Sequence, residues 1–363
     1  RIQIEENASV TLTLDGAYMD ASAIPYISAP ILIPENSTGN VNIILKGENG
    51  LKAGNYYAAI QKNGDAENIG TLTISGDGSL MAAGGYNAAG VGSSDGKPVK
   101  NIVISSGIIT ATGGVYGAGI GGGDRGTASN ITISGGTITA TGGVFGAGIG
   151  GGNRGTASNI TISGGTITAT GGNNGAGIGG GGYAGMGIGI TISGGTVTAT
   201  SIAAGDYEVT GAGIGGGARG TGSNITITGG TVTATSIATG EYGCAGAGIG
   251  GGYAGMGIGI TISGGTVTAL STADNASCEG YGIGSGWGAN DDSTPTVTGG
   301  NIKVNKLCGI QGKDGDEPYE AYLARADLLL LAGKNAAVGN PVLQTYNKKT
   351  GETKTLSYNL KDV

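Results

Sequence analysis

The sequence predicts an all-β chain that coils into a right-handed, single-stranded parallel β-helix, or β-solenoid, of about ten turns. Three observations predict this fold. Glycine accounts for 83 of 363 residues, about three times its usual share, which is unfavourable for helices. Similar units of 29 to 35 residues recur along the chain. Within each unit, apolar residues alternate with threonine or glycine, which is the period of a β-strand.

The repeat is clearest at residues 130–150, which read NITISGGTITATGGVFGAGIG. This pattern predicts three short strands, at 130–134, 137–141 and 146–150, separated by corners rich in glycine. The regular units span 101–129, 130–158, 159–188, 189–223, 224–258 and 259–293, a weaker unit follows at 294–312, and degenerate copies begin at Val10, Val41 and Thr71. Each strand therefore stacks on its counterpart in the next turn, and right-handed coiling is the rule for parallel crossovers.

The alternation also predicts which side chains of a turn enter the core. One set of residues in the unit at 130–158 faces inward and the other faces solvent. The inward set is Ile131, Ile133, Ile138, Ala140, Ala147 and Ile149, and the outward set is Thr132, Thr137, Thr139 and Thr141. The core is therefore expected to consist of isoleucine and alanine ladders.

The chain divides into three regions. Residues 1–70 are interpreted as an N-terminal cap with irregular turns, and residues 71–312 as the regular β-helix. Residues 313–363 are interpreted as a C-terminal cap, or a hairpin, that leads to a following module. In that last region, strand patterns at 342–346 and 352–358 flank a turn that contains glycine and predict the hairpin.

Three units are longer than the others because a loop follows their second strand. These loops occupy residues 201–211, 236–246 and 271–282. Since they come at the same place in successive turns, they are expected to form one raised ridge along the solenoid.

Two of the three cysteines, Cys244 and Cys278, occupy the same column in adjacent units. Stacked turns place such Cα atoms about 5 Å apart, within the range of a disulfide. The sequence therefore predicts a Cys244–Cys278 disulfide if the protein is extracellular, with two stacked reduced thiols as the alternative. Cys308 is expected to be a buried free thiol.

Charge and hydropathy argue against nucleic acids and membranes as partners. The formal net charge is −7, which argues against nucleic acids and anionic lipid surfaces, and no apolar run is long enough to insert into a membrane. Because the chain starts at Arg1, it is interpreted as a mature or excised fragment of a larger protein. A monomer is expected, because the ends of the solenoid are interpreted as capped.

The residues give little support for catalysis or for a cofactor. The chain has no histidine, and residues 126–273 contain few charged side chains, whereas polysaccharide lyases and hydrolases built on this fold need paired carboxylates or a carboxylate with a base. Calcium is a weaker hypothesis than solvated acidic turns. Its candidate ligands are the loop clusters Asp206 with Glu208, Asp291 with Asp292, and Asp314 with Asp316 and Glu317. Outward threonine arrays resemble ice-binding solenoids, although threonine is also a common exposed strand residue.

The loop after each GAGIGGG segment carries the most informative variable residues. Arginines and aromatic residues occupy it in successive units, and more aromatic residues precede the third strand. The first set is Arg125, Arg154, Tyr183, Arg219, Tyr253 and Trp287, and the second is Tyr86, Tyr116 and Phe145. Planar rings and guanidinium groups in a row suit a sugar chain. The alternative is that these side chains only cover the turn edges and stack on one another.

The repeats also resemble a known family. The segments VTLTLDG, NVNIILKGENGLKAG, TLTISGDGSLMAAGG and the recurring NITISGGTITATGG with GAGIGGG, between residues 9 and 312, are similar to carbohydrate-binding parallel β-helix domains. Such domains occur in secreted and wall-attached proteins of anaerobic, mainly Gram-positive bacteria, including gut species. The resemblance implies an extracellular location, adhesion or polysaccharide binding, and calcium in some members.

Together these observations favour a non-catalytic extracellular carbohydrate-binding module or adhesin whose partner is a polysaccharide or a host or bacterial glycan. The first alternative is a structural spacer or a protein-binding adhesin stalk. A polysaccharide lyase or hydrolase and an ice-binding protein are the less favoured alternatives. Because one fold serves many functions, these hypotheses depend on the site and not on the solenoid itself.

Overall fold

A computed structural model describes residues 1–23, 29–275, 278–289 and 295–305, and the backbone of three later strands. The chain is a right-handed parallel β-solenoid of about nine turns, with three strands in each turn. No helix is present in this described part. The predicted all-β parallel β-helix is therefore confirmed.

The three strands of each turn belong to three separate sheets. The first sheet contains Val10–Asp15, Val41–Lys46, Leu72–Gly76, Val99–Ile104, Ala128–Ile133, Ala157–Ile162, Gly187–Ile192, Thr226–Ile227, Thr261–Ile262 and Thr296–Val297, with Gly222–Ser223 and Gly257–Ile258 beside them. The second contains Tyr18–Asp20, Glu48–Lys52, Ser79–Ala83, Ile108–Thr112, Thr137–Thr141, Thr166–Gly171, Thr196–Ala204, Thr231–Thr239, Thr266–Ala273, Asn301–Val304, Leu328–Lys334, Pro341–Asn347 and Thr353–Ser357. The third contains Ile2–Gln3, Ile31–Ile33, Ile60–Lys62, Val91–Gly92, Ile120–Gly121, Ile149–Gly150, Ile178–Gly179, Ile214–Gly215, Ile249–Gly250 and Ile283–Gly284.

Equivalent residues of neighbouring turns stack directly on one another. In the first sheet Ile131 pairs with Ile160, and in the second Ile138 pairs with its counterpart one turn on. All six side chains predicted to face inward from the unit at 130–158 are buried. The core is a continuous set of such ladders, and burying each isoleucine contributes about 1.5–3 kcal/mol.

From Val91–Gly92 onward the third strand is only two residues long, and its glycine is under two constraints. Gly150 has a φ of +138°, and an added Cβ would lie 2.0 Å from the carbonyl oxygen of Gly179 in the next turn. Only glycine fits this approach of two backbones. The glycines of the GAGIGGG segment thus permit the close stacking of turns. Because the strand between them is short, the loops on either side of it lie near each other.

The ridge arises where the second-sheet strands lengthen. Thr196–Ala204 and Thr231–Thr239 pair in register over their whole length, and the loops that follow them stack as well. Tyr207 and Tyr242 at the loop tips have ring centroids 5.1 Å apart and planes that differ by 8°. The predicted ridge is therefore confirmed for the first two loops, and residues 276–277 of the third lie outside the described residues.

The two ends of the chain differ in how they join the solenoid. Residues 1–70, interpreted above as a cap with irregular turns, contribute parallel strands to the same three sheets. The three late strands extend the second sheet in antiparallel fashion, and Val342 pairs with Ser357 in the two strands that the sequence assigns to a hairpin. Cys308, Asp291, Asp292, Asp314 and Asp316 lie outside the described residues.

Candidate functional site

One edge of the solenoid brings together two kinds of loop, one before and one after the third strand. The backbone N–H of Asn153 donates to the Tyr116 carbonyl at 2.8 Å, and that of Gly182 donates to the Phe145 carbonyl at 2.8 Å. Each loop after a third strand is therefore bonded to the loop before the third strand of the preceding turn. We call this edge the aromatic edge, and its rings belong to Tyr86, Tyr116, Phe145, Tyr183, Tyr253 and Trp287.

Four of these rings form a continuous ladder. The centroid distances are 5.5 Å for Tyr86–Tyr116, 5.2 Å for Tyr116–Phe145 and 5.3 Å for Phe145–Tyr183. Tyr116 and Phe145 are nearly parallel, at 14°, so they cover each other's faces and present their ring edges to solvent. The neighbouring Tyr86 and burial raise the pKa of Tyr116. Because its rings stack on one another, the middle of this ladder offers few free ring faces to a ligand.

The structure places the loop residues after the third strand in two columns instead of the single column predicted. Arg154 and Arg219 occupy left-handed positions with φ of 59° and 63°, and Ala254 takes this position in the next turn. Tyr253 and Trp287 precede that position by one residue, as their backbone hydrogen bonds show. The sequence contains the signal for this one-residue offset. When Gly-Gly-Asn-Arg-Gly at 151–155 is aligned with Gly-Gly-Tyr-Ala-Gly at 251–255, the tyrosine falls one position before the arginine.

The row of rings is interrupted at one turn. Tyr253 and Trp287 form a second stack, with centroids 5.9 Å apart and planes at 15°. Between the two stacks, the position equivalent to Tyr253 is held by Ala218, whose N–H donates to the carbonyl of Asn174 at 2.7 Å. Ala218 has no ring, so the ladder lacks one rung.

A cleft of about 260 Å³ opens at the missing rung. We call it the tyrosine cleft, because Tyr183 and Tyr253 line it from the two stacks and Tyr207 lines it from the ridge. Its remaining lining residues are Asn174, Glu208, Val209, Ala218 and Arg219. Sequence reasoning identified Tyr183, Arg219 and Tyr253 as candidate ligand contacts. It considered Glu208 only as a calcium candidate beside Asp206, and it missed Tyr207, whose loop was otherwise interpreted as part of the ridge.

The tyrosine cleft combines ring surfaces with charged groups of both signs. Arg219 is exposed and forms no ion pair with any residue that the structure describes, and neither does Glu208. The guanidinium carbon of Arg154 lies 6.0 Å from the Tyr183 ring centroid. Arg125, in contrast, is held by Asp124, with Nε 3.3 Å from Oδ2, and does not line the cleft. Only part of the predicted arginine row therefore meets the tyrosines.

Side-chain oxygens without partners lie along the same edge. The Nδ2 of Asn153 donates to Oδ1 of Asp124 at 2.8 Å, and that of Asn87 donates to Oδ2 of Asp95 at 3.0 Å. The other side-chain oxygens of Asn87, Asp95 and Asn153 are buried and accept no hydrogen bond from the described residues. Each retains the capacity to accept a hydrogen bond from a buried water molecule.

Cys244 and Cys278 lie side by side at the base of the ridge, as their spacing predicts. The N–H after Cys244 donates to the carbonyl of Cys278 at 2.9 Å. Both residues are buried and free in this structure, which corresponds to the reduced pair that the sequence left as the alternative to a disulfide. Burial, together with the neighbouring Cys278 thiol, raises the pKa of Cys244 well above its usual range. A protonated thiol is a poor nucleophile, so this environment slows thiol–disulfide exchange and oxidation at Cys244.

The described residues contain no group of three or more histidine, cysteine, aspartate or glutamate side chains that could hold a metal ion. Of the calcium candidates, Asp206 and Glu208 lie in this described part, whereas Asp291, Asp292, Asp314, Asp316 and Glu317 lie outside it. Within the same described part, no helix is long and apolar enough to cross a membrane.

Comparison with known proteins identifies the repeats. A family model described as a beta helix repeat matches residues 72–95, 102–124, 131–153, 160–182, 190–218, 225–253 and 260–287. Each match runs from a first-sheet strand to the loop after the third strand, so the family unit is one turn of the solenoid. No curated protein and no solved structure gives a significant match. The chain is therefore a β-helix repeat protein.

Proposed function

We propose that this protein is a non-catalytic carbohydrate-binding module or adhesin that binds glycans at the tyrosine cleft. The observation that carries the proposal is the meeting of three tyrosines with an unpaired arginine and a glutamate in one cleft. A sugar ring has C–H faces that pack on aromatic rings and hydroxyl groups that bind charged donors and acceptors. Concave sites lined by rings and a few polar groups are typical of small-ligand recognition.

Two further observations bear on catalysis and on the charge of the partner. Glu208 is the single carboxylate among the residues that line the tyrosine cleft, whereas most glycosidases place two carboxylates across the scissile bond. The formal net charge of −7 also disfavours acidic polymers as the main partner. An extracellular or cell-surface location, inside a longer multidomain chain, is part of the same proposal.

The test is a glycan-array binding assay with plant, mucin and bacterial glycans, followed by titration of any glycan that binds. We expect Tyr183→Ala and Arg219→Ala each to weaken binding about tenfold, which corresponds to about 1.4 kcal/mol of lost stacking or charged hydrogen bonding. Alanine is compatible with the backbone at 219, because Ala254 holds the same left-handed position one turn on. The matched control is Tyr18→Ala, which removes an exposed tyrosine at the N-terminal end of the solenoid.

Calcium is included as a separate arm, with and without a chelator. Equal binding in both arms is expected if the tyrosine cleft alone holds the glycan, and a loss with chelator would direct attention to Asp291, Asp292, Asp314 and Asp316. Saturable binding that survives both cleft variants would place the site elsewhere. Silence across the whole array would contradict the proposal and favour a structural spacer or a protein-binding stalk.

A further inference from the structure

We propose that the tyrosine cleft takes a single neutral hexopyranosyl ring, at the end of a glycan chain or branch, into the place of the missing rung. This inference rests on the function proposed above and names the part of the glycan that is bound. It follows from the spacing of the rings, from the walls of the cleft and from the balance of its charges.

The spacing leaves room for one ring. Neighbouring rings on the aromatic edge are separated by 5.2 Å for Tyr116–Phe145 and 5.9 Å for Tyr253–Trp287. Tyr183 and Tyr253 lie two turns apart, which separates them by about 10 Å along the solenoid axis at about 4.8 Å per turn. A ring between them contacts each tyrosine at about 4 Å, and the remaining space suits a puckered sugar chair better than a flat ring.

The walls of the cleft favour a terminal ring over the middle of a chain. Tyr183 and Tyr253 bound it along the solenoid axis, and Tyr207 with Val209 bounds it on the side of the ridge. Its floor includes Ala218, which is only 2% exposed. A chain that ran along the aromatic edge would have to pass through the flanking rings, whereas a chain end can enter from solvent.

The charges favour a neutral ring. Arg219 can only donate hydrogen bonds and Glu208, when ionised, can only accept them, so the pair matches hydroxyl groups, which do both. A hexuronate carboxylate would approach Arg219 favourably but would be repelled by Glu208, and an amino sugar would meet the reverse arrangement. The formal net charge of −7 adds to the cost for an anionic sugar.

The decisive variant restores the missing ring without removing any wall. Ala218→Tyr places a tyrosine where Tyr253 stands one turn on, so the loop backbone is already suited to it. The probes are methyl glucoside, methyl galactoside, methyl mannoside, methyl galacturonide and oligosaccharides that end in the residue that binds, each measured by isothermal titration. Ala218→Ser is the matched control, because it changes the same residue and leaves the space open.

At least one neutral methyl glycoside is expected to bind the wild-type protein and Ala218→Ser equally, and to bind Ala218→Tyr at least tenfold more weakly. Longer oligosaccharides with the same end should gain little affinity over the glycoside. Tyr253→Ala, which removes one wall without adding bulk, should also weaken binding and guards against a folding defect in Ala218→Tyr.

Three results would overturn the inference while leaving glycan binding intact. They are unchanged binding to Ala218→Tyr, tighter binding of the galacturonide than of every neutral glycoside, and affinity that grows with each added sugar. If no glycan binds the wild-type protein in either experiment, the proposed function itself fails, so the two failures are distinguishable.

Discussion

Lys62 is a buried lysine in the third sheet, and replacing it should change the free energy of unfolding in a pH-dependent way. The residue is 2% exposed, and its Nζ donates to the carbonyl oxygen of Lys100 at 2.6 Å. Burial, and secondarily the positive charge of Lys100, lowers the pKa of Lys62 to about 8 from 10.5. The charged form is therefore disfavoured in the folded protein relative to the unfolded chain.

The sign and size of the effect follow from linkage. The unfolded chain binds more protons than the folded protein between the two pKa values, so stability rises as the pH is raised from about 8 towards 10.5. The difference of 10.5 − 8 = 2.5 pKa units corresponds to about 3 kcal/mol, which is the full penalty below pH 8. Lys62→Met removes this penalty and loses one hydrogen bond, worth about 1 kcal/mol. The net expectation at pH 7 is a stabilisation of about 2 kcal/mol.

The assay is guanidinium-induced unfolding at several pH values from 7 to 10.5, with a probe near the N-terminal turns. The wild-type protein should gain about 2–3 kcal/mol relative to Lys62→Met across this range, so that the advantage of the variant disappears at high pH. Lys100→Met is the control, because it leaves the accepting carbonyl in place. Parallel pH profiles for the wild-type protein and Lys62→Met would refute the reasoning.

Three other predictions concern the backbone and the thiols. Gly150→Ala should destabilise the protein by more than about 3 kcal/mol in thermal or denaturant unfolding, because its Cβ would lie 2.0 Å from a carbonyl oxygen. The control Gly96→Ala, at a residue with φ +67° and open space around it, should cost about 1 kcal/mol. Equal costs for the two variants would contradict the role assigned to close stacking. Asn130→Ala should cost about 1–2 kcal/mol, because Asn130 has φ 53° and its Nδ2 donates to Oδ1 of Asn101 in the preceding turn at 3.0 Å. Asn130→Gly should cost measurably less, because glycine accepts the left-handed conformation. Cys244 and Cys278 should react with a thiol reagent at pH 7 only after unfolding, and rapid labelling of the folded protein would contradict their burial.

The core could be predicted from the sequence because two regular periods specify it. Ile131 and Ile133 alternate with threonine, which fixes the inward face, and the near-identical following unit fixes the register between turns. The stacking of Cys244 on Cys278 followed from the same counting. Whether a disulfide forms depends on burial and oxidation, which spacing does not contain.

The tyrosine cleft could not be predicted in the same way. Loops have no period, so a shift of one residue between Arg219 and Tyr253 changes which column a side chain joins without altering any strand. The cleft also depends on Tyr207, which belongs to a different loop of the turn and reaches the site only because the ridge stands beside the aromatic edge. Its most informative residue is Ala218, whose importance lies in the ring that it lacks.

The loop backbone of the aromatic edge stays constant while its side chains vary. Asp124, Asn153, Gly182, Ala218 and Tyr253 all donate the same kind of N–H bond to the preceding turn, at 2.7 to 2.9 Å. The bond does not depend on the side chain, and residues from glycine to tyrosine hold this position in different turns. Single substitutions could therefore move the gap to another turn, open a second one or close it. Such a chain can diversify what it recognises while its scaffold stays the same.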